Sequence, residues 1–147
     1  MNFPFIVIES TSTSRSEFDM TAGYQPTHAL FYLKKGSFEI EVDGVKQTVR
    51  RGDCYILPSY VYHRRNVIEP IEFIYIKFTS NETCPYTMEI PHGKIEFRDQ
   101  ERFRSMIRTL EEVLLVETSL CKGYREHLLL DILFQIHFET NPQKALA

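Results

Sequence analysis

The sequence predicts a mainly β domain, a sandwich or barrel, followed by two α-helices. Two observations carry this. Between Leu30 and Phe78, short apolar segments alternate in hydropathy and are separated at close intervals by glycine and proline turn signals. From Asp99 the apolar period lengthens: Phe103, Ile107, Leu110 and Leu114 recur at steps of four, three and four, the stripe of an amphipathic helix.

Taken in order, Phe3–Glu9 reads as a strand or an extended arm, and the polar run Thr11–Ser16 reads as loop. No clean period appears before Pro26, so this leading segment is expected to be an arm packing over the barrel. Strands are expected at Leu30–Leu33, Ser37–Val42, Val45–Arg50, Cys54–Leu57 and Glu72–Phe78. The separating turns are Lys34-Lys35-Gly36, Asp43-Gly44, Arg51-Gly52-Asp53 and Pro58-Ser59. Phe38, Ile40 and Val42 alternate with Glu39, Glu41 and Asp43, as in a strand with one wet face. Asp43-Gly44 is a hairpin signal, because a type I′ turn needs positive φ at both central residues. Ser59–Glu69 begins as loop, with a short strand near Tyr62–Arg64. Ile71–Phe78 is apolar on both faces and so belongs inside a sheet. In the mixed stretch to Phe97, Met88–Ile90 and Lys94–Glu96 are candidate extended pieces.

The first helix starts at the cap Asp99 and is expected to end near Thr118-Ser119; the second runs from about Leu120 to Phe138. That second helix is too apolar for one stripe. Leu129, Ile132, Leu133 and Ile136 fit one face, while Leu130, Phe134 and His137 project elsewhere and suit contact with a second copy, a homodimer. Asn141–Ala147 reads as the start of a linker. The expected organisation is 1–97 arm and barrel, 98–140 two-helix dimerisation element, and 141–147 linker.

The chain has 147 residues and a formal net charge of −3, so a nucleic-acid-binding surface over the whole chain is not expected. Arg50-Arg51 and Arg64-Arg65 are isolated dipeptides at strand ends and read as solvated loop arginines. The three cysteines, Cys54, Cys84 and Cys121, form no zinc or redox spacing and favour a reducing compartment. The apolar start has no basic leader and no stretch reaches membrane-spanning length; a cytoplasmic protein is the expectation.

The run Gly52-Asp53, Tyr55-Ile56-Leu57-Pro58 and His63 resembles the second motif of the cupin superfamily. With Phe31-Tyr32-Leu33, Gly36 and Ile40–Gly44, the chain more narrowly resembles the N-terminal sensing domain of AraC-type bacterial transcription regulators. That resemblance implies a cupin-like double-stranded β-helix (jelly-roll) barrel, a mobile N-terminal arm and two C-terminal helices for dimerisation. It also implies DNA contact only through a C-terminal domain not included in this sequence. Metal-binding cupins carry His-x-His and a Glu before the glycine matching Gly36. Here Tyr24–Leu30 offers only His28, which with His63 makes two ligands where a catalytic site normally needs three. No metal, no cofactor and no enzymatic activity are therefore expected.

The expected ligand is a small-molecule effector, a sugar being one candidate, in a largely apolar cavity with a few directed polar groups. His63 is the first candidate to contact it, followed by His28, Tyr24, Tyr32 and Tyr55, with Phe5 on the arm that closes over it. A histidine satisfied by the backbone is the competing reading for His63. Parity alone does not say which face is the interior; Lys77 is expected to point outward. A cupin enzyme using His63 with His28 or Tyr32, and a barrel filled by its own side chains, are the alternatives.

Overall fold

Alternation of β-branched and aromatic residues builds one sheet in the computed structural model, which describes residues 3–143. Its strands are β1 (Phe5–Arg15), β2 (Ala22–Gly23), β3 (His28–Val42), β4 (Val45–Arg50), β5 (Cys54–Leu57), β6 (His63–Ser80) and β7 (Gly93–Ile95). The order is β1-β6-β3-β5-β7, with β2 on β6 and β4 on β3. The central β6 thus lies inside the sheet, as its two apolar faces require. Two helices follow, α1 (Gln100–Val113) and α2 (Ser119–Thr140).

The β3–β4 hairpin forms where expected: Val42 pairs with Val45, and Asp43 and Gly44 both take positive φ, 52° and 77°. Lys34-Lys35-Gly36, expected as a turn, is instead a set of register shifts inside one continuous strand, β3. Gly36 sits there at φ 80°, and a Cβ on it would lie 2.1 Å from the Pro70 carbonyl oxygen. Only glycine lets the two backbones approach so closely. The shift also changes which side chains face inward. Before it, Ala29, Phe31 and Leu33 join the apolar cluster; after it, Phe38 and Ile40 do. Their partners on β6 keep one parity throughout: Lys77, Tyr75, Phe73, Val67 and Arg65.

Two further expectations change. Thr11–Arg15 is strand rather than loop, since β1 runs unbroken from Phe5 and neighbours β6. The short strand expected near Tyr62–Arg64 is the start of a long one, because β6 begins at His63 and continues through Pro70 to Ser80. Met88–Ile90 is not a strand, while β7 matches the expected piece near Lys94.

Contacts group the chain into two units. One comprises Ile8–Phe78 and His92–Glu96 and contains the apolar cluster. The other comprises 3–7, 79–91 and 97–143 of the described residues. Within this second unit Asn81 holds the first residues, donating from its backbone to Pro4 O (2.7 Å) and from its side chain to Phe3 O (2.8 Å).

Asp99 caps α1, accepting from Arg102 N at 3.0 Å, and Phe103, Ile107 and Leu110 are buried on its stripe. Helix α1 stops at Val113 rather than near Thr118, because Thr118 is the cap of α2, accepting from Cys121 N at 3.2 Å. The buried Arg125 then donates to Val113 O (2.7 Å), at the end of α1, and to Val116 O (2.6 Å), in the turn that follows it. The last four residues of the expected linker lie outside the described residues.

Candidate functional site

On the inner face of the sheet, the packed cluster gives way to a cavity of about 490 Å³. Three kinds of element supply its walls. Strand β6 contributes Arg65, Phe73, Tyr75 and Lys77, all of one parity. Alternate residues of β1 contribute Glu9, Thr11, Thr13 and Arg15. The connection after β1 brings Phe18, Asp19 and Met20, and the approach to β3 brings Tyr24 and Gln25.

The polar groups here are mostly held. The Tyr75 hydroxyl donates to Gln25 Oε1 at 3.2 Å, and burial pushes its pKa up. Lys77 Nζ lies 3.3 Å from Glu9 Oε2. The outward placement expected for Lys77 is therefore wrong: it shares the cavity face with Phe73 and Tyr75, and Glu9 is the partner that an inward lysine needs. Arg65 corrects a second expectation. It is not a solvated loop arginine, since its Nε donates to Met20 O at 2.9 Å and its guanidinium lies 4.2 Å over the Phe18 ring. Its neighbour Arg64 is fully exposed.

Of the six candidates singled out for the ligand, the structure brings only Tyr24 to this cavity, from an exposed position beside Tyr62. His63 shares the inner face but is wholly buried and does not line the cavity. Its Nδ1–H donates to Val61 O at 3.2 Å, the backbone-satisfied arrangement, while Nε2 has no partner among the described residues. Burial lowers its pKa and keeps it neutral. His28 is on the opposite face, its ring 5.2 Å from Phe78 and its Nδ1 accepting from Ser59 N at 2.9 Å. Tyr32 faces the same way, opposite Ile74. Tyr55 is packed into the inner cluster, where burial raises its pKa to about 12. It lines a second, smaller cavity of about 310 Å³ with Gln47, His92 and Lys94. Phe5 is buried in the other unit and does not line the cavity.

The donor set does not fit a divalent metal. His28 and His63 lie on opposite faces and each has a ring nitrogen engaged with backbone. Among the described residues no three His, Cys, Asp or Glu side chains gather as metal ligands.

For the three residues expected at a subunit contact, Leu130 is already buried within the chain at 7% exposure, which corrects its assignment to a free face. Phe134 and His137 are half-buried. The exposed apolar side chains of α2 are Leu120, Tyr124 and Phe138. No helix among the described residues is long and apolar enough to cross a membrane.

Sequence reasoning missed Arg65, Gln25 and the β1 residues, and left open which way Tyr75 points. Parity on β6 was the available signal, because Tyr75 and Arg65 sit at even spacing from the apolar Phe73 and Val67.

A family model described as a cupin domain matches residues 17–76, the stretch that holds most of the cavity. Among solved structures, the chain is similar to a protein of unknown function from Streptococcus pyogenes. The identity is 18% over 49% of this chain and 64% of that one, with a TM-score of 0.44. The match thus spans less than two thirds of the Streptococcus protein. It is also similar to a cupin-2 domain containing protein from Shewanella frigidimarina (20% identity, 52% and 71% covered, TM-score 0.41). A putative ethanolamine utilization protein from Salmonella typhimurium gives 12% identity, 49% and 56% coverage and a TM-score of 0.40. No curated protein matches. The cupin-domain model thus matches residues 17–76 of a mainly β fold that ends in two α-helices.

Proposed function

We propose that this chain is the effector-sensing and dimerisation part of an AraC-type transcription regulator, holding a small metabolite in its cupin barrel without a metal. The observation that carries the reading is the cavity of about 490 Å³ on the inner face, a size suited to a small organic ligand. Its walls combine aromatic faces, Phe31, Phe73 and Tyr75, with directed polar groups, Gln25, Arg65 and Lys77. The order of elements supports the same reading: a leading strand, a cupin domain, then two helices. DNA contact would belong to a C-terminal domain beyond this sequence, and the cytoplasm is the compartment such a regulator occupies.

A non-enzymatic role is supported by the separation of His63 from His28 and Tyr32, which leaves neither proposed acid–base pair on one face. For dimerisation, Leu120, Tyr124, Phe134 and Phe138 recur along α2 at steps of four, ten and four and offer apolar surface. Calorimetric titration of the chain against a panel of sugars, sugar acids and small organic acids tests the sensor reading. One-site binding by a member of the panel is expected, and no binding at millimolar concentration by any of them would reject it. Sedimentation of Phe134→Glu tests the contact: a monomer is expected, and an unchanged dimer would exclude α2 as the interface.

A further inference from the structure

The charges around the cavity do not balance. Its lining carries three cationic side chains, Arg15, Arg65 and Lys77, and two carboxylates, Glu9 and Asp19. Lys77 is paired with Glu9 at 3.3 Å, and Arg15 lies 4.0 Å from Asp19. Arg65 is left over. Its Nε is taken by Met20 O, and its Cζ lies 4.2 Å over the centre of the Phe18 ring, with the Phe31 centre at 5.8 Å. Among the described residues neither Nη has an acceptor and no carboxylate reaches ion-pair distance of it. Asp19 attracts it from further away, but that carboxylate is 93% exposed and screened by water.

An arginine cannot shed its proton, so a half-buried, unpaired guanidinium keeps a desolvated charge at a cost. Here the cost is concentrated at the wall of a cavity. The Phe18 ring contact and the Met20 bond hold the guanidinium at Cζ and Nε, which leaves its two Nη groups as a preformed fork. In the same cavity lining the Gln25 amide, whose oxygen accepts from Tyr75, offers its NH2 as a further donor.

We propose that the cavity binds a small organic monocarboxylate, with the carboxylate paired to the two Nη groups of Arg65 and the body of the ligand on the aromatic wall. Three features single out this class. The excess over the lining is one positive charge, which a monoanion neutralises. The free edge of a guanidinium matches two carboxylate oxygens side by side. The aromatic walls and the volume suit an organic body rather than a bare inorganic ion. The inference rests on the cavity being a metabolite site, and names the chemical class of its occupant.

The test is titration of the full chain with matched pairs: benzoate and benzamide, hexanoate and hexanamide, galacturonate and galactose, with inorganic phosphate as a further probe. At least one acid should bind, its neutral counterpart about tenfold or more weaker, and Arg65→Gln should lose about 10- to 100-fold in affinity for the acid. Neutral probes binding as well as the acids would overturn the carboxylate assignment and leave the metabolite site standing. Phosphate binding as tightly as the best acid would also overturn it, since the site would then read charge alone. No binding by any probe at millimolar concentration would overturn both readings. The matched pairs on the unmodified chain decide the matter even where Arg65→Gln folds poorly.

Discussion

Ile40 and Arg65 are partners across β3 and β6 on the same inner face, yet they belong to different kinds of interior. Ile40 is enclosed with Phe38, Val49 and Leu57 in a packed cluster. Arg65 stands at the edge of that cluster, where the wall opens into the cavity. The difference shows how one strand serves two purposes. Packing contributes stability where both strands supply apolar side chains. Where β1 and the connection after it supply the neighbouring wall instead, polar and charged groups line open space. Natural domains tolerate such costs where a ligand can repay them.

The comparison can be broken most forcefully at the bulge that sets it up. Gly36→Ala should cost more than about 4 kcal/mol or prevent folding, because a Cβ would strike the Pro70 carbonyl and φ is 80°. A soluble variant with an unchanged urea midpoint would contradict this account of β3. Phe38→Ala, in the packed region, should lower the unfolding free energy by about 3–4 kcal/mol. Chemical denaturation measures it, and a loss below about 1 kcal/mol would mean that the cluster is not the core.

Acid gives a smaller, graded effect. Burial holds the folded-state pKa values of both His28 and His63 below 6.5, so the unfolded chain takes up protons first as pH falls. Stability should be level above 6.5, fall as pH drops from there through the lower folded-state values, and level off beneath them. Urea midpoints at about pH 7.5 and about pH 5.5 should differ in that direction, with a smaller difference in His63→Gln. A higher midpoint in acid would contradict the burial of these rings. The least disruptive change is Tyr75→Phe. It removes one hydrogen bond to Gln25 at the cavity wall and should cost about 1 kcal/mol or less.

Much of this fold is legible in the sequence for local reasons. Asp43-Gly44 dictates its turn and Asp99 its cap through short-range geometry. The stripe of α1 appears at its helical period. What was misread depends on distant partners. Lys34-Lys35-Gly36 looks the same in a turn and in a bulge, and only the approach of Pro70 distinguishes them. Thr11, Thr13 and Arg15 look like loop until β6 is beside them. Arg65 reads as solvated because Arg64-Arg65 is an isolated charged dipeptide at a strand end, although neighbours on a strand point to opposite faces and only Arg64 is exposed. The histidines drew attention through their chemistry, whereas the backbone already satisfies one nitrogen of each.

The division of the inner face is tested most directly by unfolding Ile40→Ala and Arg65→Gln side by side. Ile40→Ala should lose about 2–4 kcal/mol, as a truncation in a packed core does. Arg65→Gln should stay within about 1 kcal/mol of the unmodified chain, since the lost bond and ring contact are offset by removing an unpaired charge. An Arg65→Gln loss as large as that of Ile40→Ala would make Arg65 part of the structural core and contradict the proposal that it is the charged wall of a ligand site.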